Sequence, residues 1–240
     1  MGVPLWGWAI LAVCALLIGF SKTAIGGMGL IAVALAAVVL PTKDSTAVVL
    51  VMLLVGDLVA TWTYRHDVDW RLIGRLVVPV LAGIGVGALF LYLADDIVLR
   101  RTIGVIVLAL LVIGFWPDKL AAHRPAVGNA YGVVAGFTTM VANAGGPPMN
   151  LYLLAAKYEK LRFLGTTAWF FFAVNLTKLP ISIGQGMVRW DTAAIALVLT
   201  PIVLVGTWIG RLTIKRLEQK LFERLVTAFV GVAGVYLLFG

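Results

Sequence analysis

The sequence predicts an all-α integral membrane protein built as two inverted-topology repeats, with broken or re-entrant helices near the midplane. Three observations carry that prediction. The 240 residues are 62% hydrophobic and 12% charged, with a mean hydropathy of +1.04, whereas a soluble domain is about 45–50% apolar. A glycine pair with polar neighbours interrupts an apolar run early in each half. The first reads Gly19-Phe20-Ser21-Lys22-Thr23-Ala24-Ile25-Gly26-Gly27-Met28-Gly29, the second Gly136-Phe137-Thr138-Thr139-Met140-Val141-Ala142-Asn143-Ala144-Gly145-Gly146-Pro147-Pro148. Finally, a loose copy of the first half follows in the second.

In chain order the apolar segments are 4–20, 27–40, 45–64, 72–94, 98–116, 128–143, 147–156, 163–183, 191–210 and 221–239. Short polar or Gly/Pro turns separate them. The N-terminal stretch Met1–Trp8 lacks the positive n-region of a signal peptide, so 4–20 reads as a retained first helix. A helix that crosses the hydrocarbon needs about 20 residues. Segments 27–40 and 147–156 are too short for that and read as half-helices or re-entrant pieces. The 26 glycines suit closely packed membrane helices, whose backbones approach where side chains are small.

Landmarks align the two repeats, 1–120 and 121–240. Gly26-Gly27 matches Gly145-Gly146 at an offset of 119, and Val68-Asp69-Trp70 matches Val188-Arg189-Trp190 at 120. Pro79 matches Pro201 at 122, and Gly83/Gly87 match Gly206/Gly210 at 123. The offset drifts in one direction, as small insertions into an old duplication would cause. The GxxxG spacings at Gly83/Gly87 and Gly206/Gly210 fit contacts within one chain as well as a homodimer.

Charge placement sets the orientation, because Lys and Arg favour cytoplasmic loops. If the ten segments alternate in direction, the odd connections hold 14 of the 19 basic residues and the even ones Lys43, Arg100, Arg101 and Arg189. Merging each broken pair into one crossing weakens the split to 11 against six. The ten-segment parity therefore puts the odd connections in the cytoplasm, gives each half odd parity and inverts the two halves. Such halves bring the breaks at Lys22 and Asn143 towards the membrane centre from opposite sides. The lipid bilayer also explains the +8 net charge, since no basic cluster stands apart from apolar spans. Nucleic acid is excluded as a partner.

Irregular backbone at membrane depth is tolerated where protein buries it or a watery cavity meets it, so the breaks are expected to line a cavity. Half-helices beginning at Gly27 and Pro147 would aim free N–H groups and positive dipole ends into it, which suits a small anionic substrate. The expected binding set is Ser21, Lys22, Thr23, Gly26, Gly27, Thr139, Asn143, Gly145 and Gly146, with Thr138 as a further hydroxyl. Against this stands simple close packing of small residues. Lys22 is the most informative side chain, because no Asp or Glu occurs before Asp44. It reads either as a counter-charge for the anion or as a lysine snorkelling to the interface.

Asp57 lies deep in an apolar segment, and Lys178 lies in the corresponding segment of the second half. Both are coupling candidates: a buried Asp57 is suited to carrying a proton, and the alternative is a structural pair with Lys178 or Lys22. The repeat offset places Asp57 opposite Asn175–Thr177. Cys14, the single cysteine, reads as a packing residue. His66 and His123 fall in connections, so no metal, haem or other cofactor is expected. Asp57 has no carboxylate partner for aspartyl proteolysis and no Ser/His/Asp set is evident, so the chain is not expected to be an enzyme.

These residues resemble the sulfite exporter TauE/SafE family of small duplicated bacterial membrane proteins. The likeness covers almost the whole chain and rests on the Gly-Phe-Ser-Lys-Thr-Ala-Ile-Gly-Gly-Met-Gly break, the Ala-Asn-Ala-Gly-Gly-Pro-Pro break and Val68-Asp69-Trp70. It implies a secondary transporter of the inner (cytoplasmic) membrane that exports sulfite, sulfoacetate or another organic anion by alternating access. Asn143 and two prolines stand where the first break has Lys22 and Met28-Gly29, so the expected site is asymmetric. A passive anion channel shares these features, whereas a non-transporting scaffold has no need of duplicated polar breaks.

Overall fold

The computed structural model describes residues 3–25, 28–93, 105 and 125–239. Among them every regular element is a helix: α1 Leu5–Thr23, α2 Met28–Val39, α3 Thr42–Thr63, α4 Trp70–Leu93, α5 Pro125–Ala142, α6 Gly146–Ala155, α7 Lys160–Gly184, α8 Trp190–Arg216 and α9 Gln219–Phe239. Nine of the ten expected segments coincide with these helices, and the tenth, 98–116, lies outside the described residues except for residue 105. The stretches Leu5–Thr23, Asp44–Thr63, Trp70–Phe90 and Trp190–Arg216 are long and apolar enough to cross a membrane. Trp6, Trp62, Trp70 and Trp190 are exposed at helix ends, where amphipathic rings meet headgroups.

Local chemistry explains the boundaries. Pro4 and Pro41 occupy the N-caps of α1 and α3, and Asp44 complements the dipole in the first turn of α3. Asp69 caps α4 by accepting the Leu72 N–H at 3.0 Å, as a short carboxylate at an N-terminus does. At its repeat counterpart, the Arg189 N–H donates to Thr192 Oγ1 at 2.9 Å to open α8. Pro79, Pro180 and Pro201 lie inside α4, α7 and α8.

The helices form two compact units, residues 1–68 with 164–217 and residues 69–163 with 218–240. Each unit draws on both halves of the chain. The first is cored by Leu11, Cys14, Ile18, Ala32, Ala36, Val48, Met52, Leu199 and Val203, so Cys14 is a buried packing residue with a free thiol.

One glycine contact is built twice. In the first unit α1 packs along α8, where a Cβ on Gly19 would strike the Val203 carbonyl and lie 2.8 Å from the Thr207 nitrogen, and one on Gly206 would strike the Leu16 carbonyl. In the second unit α4 packs along α5, where a Cβ on Gly136 would strike the Val80 carbonyl and lie 3.1 Å from the Ile84 nitrogen, and one on Gly83 would strike the Val133 carbonyl. The GxxxG positions thus make close helix contacts inside one chain. Every partner in one pair has its repeat counterpart in the other.

Candidate functional site

The first unit holds a buried charge cluster. Lys22 lies in the last turn of α1, because that helix continues through Ser21 and Thr23 and stops only at Ala24. The continuation is satisfied locally. Ser21 Oγ donates to the Ile18 carbonyl at 3.0 Å, Thr23 Oγ1 donates to the Thr207 carbonyl at 2.8 Å, and the Tyr64 hydroxyl caps the Thr23 carbonyl at 2.5 Å. The hydroxyl protons of Ser21 and Thr23 are therefore committed to protein carbonyls. Gly26 and Gly27 lie outside the described residues.

Lys22 Nζ stands 2.5 Å from Asp57 Oδ1 and 5.2 Å from the centre of the Phe171 ring. Asn175 Nδ2 donates to the other carboxylate oxygen at 2.7 Å, from the position that the repeat offset sets opposite Asp57. Lys178, one turn further along α7, is 2% exposed and interacts electrostatically with both Lys22 and Asp57. Of the two readings of Asp57, the pair with Lys22 is present. Gly56 admits the lysine stem, since a Cβ there would lie 3.0 Å from Lys22 Cγ. Asn175, Phe171 and Gly56 were absent from the expected site. The repeat pointed to Asn175, whereas nothing local in the sequence distinguishes Gly56.

The second unit holds the other break. Asn143 adopts a left-handed φ of 51°, a conformation its short polar side chain tolerates. Its N–H donates to the Thr139 carbonyl at 3.0 Å and the Ala144 N–H to the Thr138 carbonyl at 3.1 Å. Thr138 Oγ1 donates to the Val134 carbonyl at 2.8 Å. Gly145 is the N-cap of α6, Gly146 its first residue, and Pro147 and Pro148 complete a first turn in which prolines lose nothing by lacking an N–H. At about 1.5 Å per residue, the ten residues of α6 span about half of a bilayer's hydrocarbon core. Asn150 and Tyr131 are also buried here, with Asn150 Nδ2 and the Tyr131 hydroxyl lacking a partner among the described residues.

A polar cluster at the start of α4 completes this unit. Asp69 Oδ2 accepts from the Tyr158 hydroxyl at 2.6 Å and from Arg162 Nη2 at 2.8 Å. Partial burial opposes ionisation of Asp69, but the Tyr158 and Leu72 donors and the Arg162 charge outweigh it and hold the carboxyl below its usual range. Burial and the neighbouring carboxylate push the Tyr158 hydroxyl above the usual tyrosine range. Arg75 Nη2 donates to the Tyr152 hydroxyl at 2.6 Å.

Ser21, Lys22, Thr23, Asp57 and Lys178 thus belong to the first unit, and Thr139, Asn143, Gly145 and Gly146 to the second. Buried ions paired in the first and helix-end donors in the second are arrangements suited to a charged solute crossing an apolar medium. No curated protein and no solved structure matches the chain. The model of the family described as sulfite exporter TauE/SafE matches residues 11–237, and the chain belongs to that membrane transporter family.

Proposed function

We propose that the protein exports a small sulfur-containing oxyanion, sulfite foremost, across the cytoplasmic membrane by alternating access between two inverted repeats. The observation that carries this reading is the Lys22–Asp57–Asn175–Lys178 cluster. Inside an apolar bundle it places two cations against one carboxylate, and ionisable groups at such depth are costly enough to mark a solute path. The basic-residue parity and the twice-built glycine contact support the inverted repeats.

Charge balance supports the direction. With Lys178 protonated, the empty cluster carries one net positive charge, and a bound monoanion neutralises it. The loaded carrier then crosses without moving charge, while the empty return moves one positive charge inward. An inside-negative potential favours that return by about 2.3 kcal/mol per 100 mV for a full crossing. Proton binding to Asp57 would free Lys22 for the anion and link flux to pH.

The test is flux of radiolabelled sulfite into proteoliposomes under imposed potentials and pH gradients, with wild type, Lys22→Ala and Asp57→Asn. Saturable, potential-dependent flux lost in Lys22→Ala is the expected outcome. Flux that neither saturates nor responds to either gradient would instead identify a channel, and normal sulfite flux in Lys22→Ala would remove the cluster from the mechanism.

A further inference from the structure

Asn150 was not among the expected binding residues, yet it is the donor in the second unit that most needs a ligand. It lies in α6, is 2% exposed, and its Nδ2 has no hydrogen-bond partner among the described residues. A buried amide left unpaired costs free energy that packing does not return, so an Asn kept there calls for an occupant. Side chains on a helix lean back towards its N-terminus. That of Asn150 does so: a Cβ built on Gly146 would lie 4.0 Å from Asn150 Nδ2. The amide therefore reaches over the first turn of α6.

That turn has an unusual donor set. Pro147 and Pro148 contribute no N–H, which leaves the Gly145 and Gly146 N–H groups and the Asn150 amide as the donors this end can present. Gly146 carries no side chain to cover them. The stretch 125–156 contains no Asp, Glu, Lys or Arg, so nothing charged in the chain segment that builds the turn competes for these donors. Neutral donors converging at the positive end of a helix dipole select an oxyanion.

We propose that Asn150 is a substrate-binding residue of the second unit, donating through Nδ2 to an oxygen of a small sulfur oxyanion seated at the N-terminus of α6. This deepens the transport reading above and rests on it. A donor reserved for a ligand makes the empty protein less stable than an apolar residue of the same size would, and a structural donor does the opposite. The two roles therefore separate in one experiment.

The purified full chain in detergent is heated with increasing sulfite, sulfate or sulfoacetate, and wild type is compared with Asn150→Leu and Asn150→Asp. A bound ligand raises Tm in proportion to its occupancy. The expected result is a sulfite-dependent rise in wild type, an anion-free Tm equal or higher in Asn150→Leu, and an apparent affinity about tenfold weaker or worse in both variants, the loss expected for one hydrogen bond to an anion. An Asn150→Leu protein that melts earlier without anion and keeps the sulfite-dependent rise assigns Asn150 a structural role and overturns the proposal. A full sulfite response in Asn150→Asp also overturns it, because the orphaned atom would then not be a donor. A wild type that none of the three anions stabilises overturns the transport reading and this proposal with it.

Discussion

Asp57 is fully buried and receives Lys22 on one oxygen and Asn175 on the other, so removing Lys22 strips the carboxylate of its direct counter-charge. Lys22→Met should destabilise the protein by about 3–5 kcal/mol, read as an earlier denaturant midpoint. The triple variant Lys22→Met/Asp57→Leu/Lys178→Met should recover most of that loss, since buried ions exchanged together for apolar groups are often neutral or stabilising, yet it should transport no sulfite. Recovery of flux together with stability would make the pair purely structural. Asp69 yields a pH prediction. Its carboxyl is held below its usual range, so it contributes stability at neutral pH that is lost as pH falls from about 4 through the lowered value. Asp69→Asn should cost about 1–2 kcal/mol at pH 7 and show a flatter acid limb than wild type in a Tm-against-pH series. In the sequence the Lys22–Asp57 contact was open only as one form of a structural pair, with Lys178 as the other candidate partner and proton carriage as the competing reading of Asp57. The choice depended on where α3 sits beside α1.

At the scale of helices, the glycines decide which elements touch. Ala at Gly19 or Gly206 would press a methyl into a carbonyl of the facing backbone, which cannot rotate away as a side chain can. Both substitutions should abolish accumulation of folded protein, and Gly136→Ala and Gly83→Ala should do the same in the second unit. Gly85→Ala, with nothing within 4 Å of its new methyl, should instead be neutral or stabilising by up to about 1 kcal/mol from helix propensity. Size-exclusion profiles and Tm of these variants check the contrast. The helices themselves were legible from apolar runs between polar or Gly/Pro turns. The end of α1 was not: Ser21, Lys22 and Thr23 read as a polar break, but the two hydroxyls donate to the Ile18 and Thr207 carbonyls, Tyr64 donates to the Thr23 carbonyl, and the lysine stem passes beside Gly56.

For the whole molecule, the proposed inversion of the two repeats would place equivalent connections on opposite membrane faces. With Cys14→Ala as background, a cysteine at His66, in the connection after α3, should react with an impermeant maleimide only after cells are opened. A cysteine at Gln185, before α8, should react in intact cells. Labelling of both from the same side would mean parallel repeats and would remove the support that charge parity gives to alternating access. Both positions are exposed, so accessibility within the fold does not confuse the result.

By itself the sequence determined the membrane class, the helix series and the family, because each is written in composition, periodicity or a run of neighbouring residues that survives without knowledge of contacts. It also singled out Lys22, Asp57 and Lys178 through charge rarity, and the repeat offset set Asp57 opposite Asn175–Thr177. Only the tertiary structure decided that Lys22 and Asp57 form an ion pair, that Gly56 makes room for it, that the GxxxG glycines join α1 to α8 and α4 to α5, and that Asn150 turns a buried, unpaired amide over the first turn of α6. All but the last are distances between residues tens to hundreds of positions apart, and the last depends on what the surrounding helices leave unpaired. The physical reason is that apolar patterning specifies which face of a helix is buried, whereas the partner against that face is selected by backbone approach and by the cost of leaving a buried polar atom unmatched.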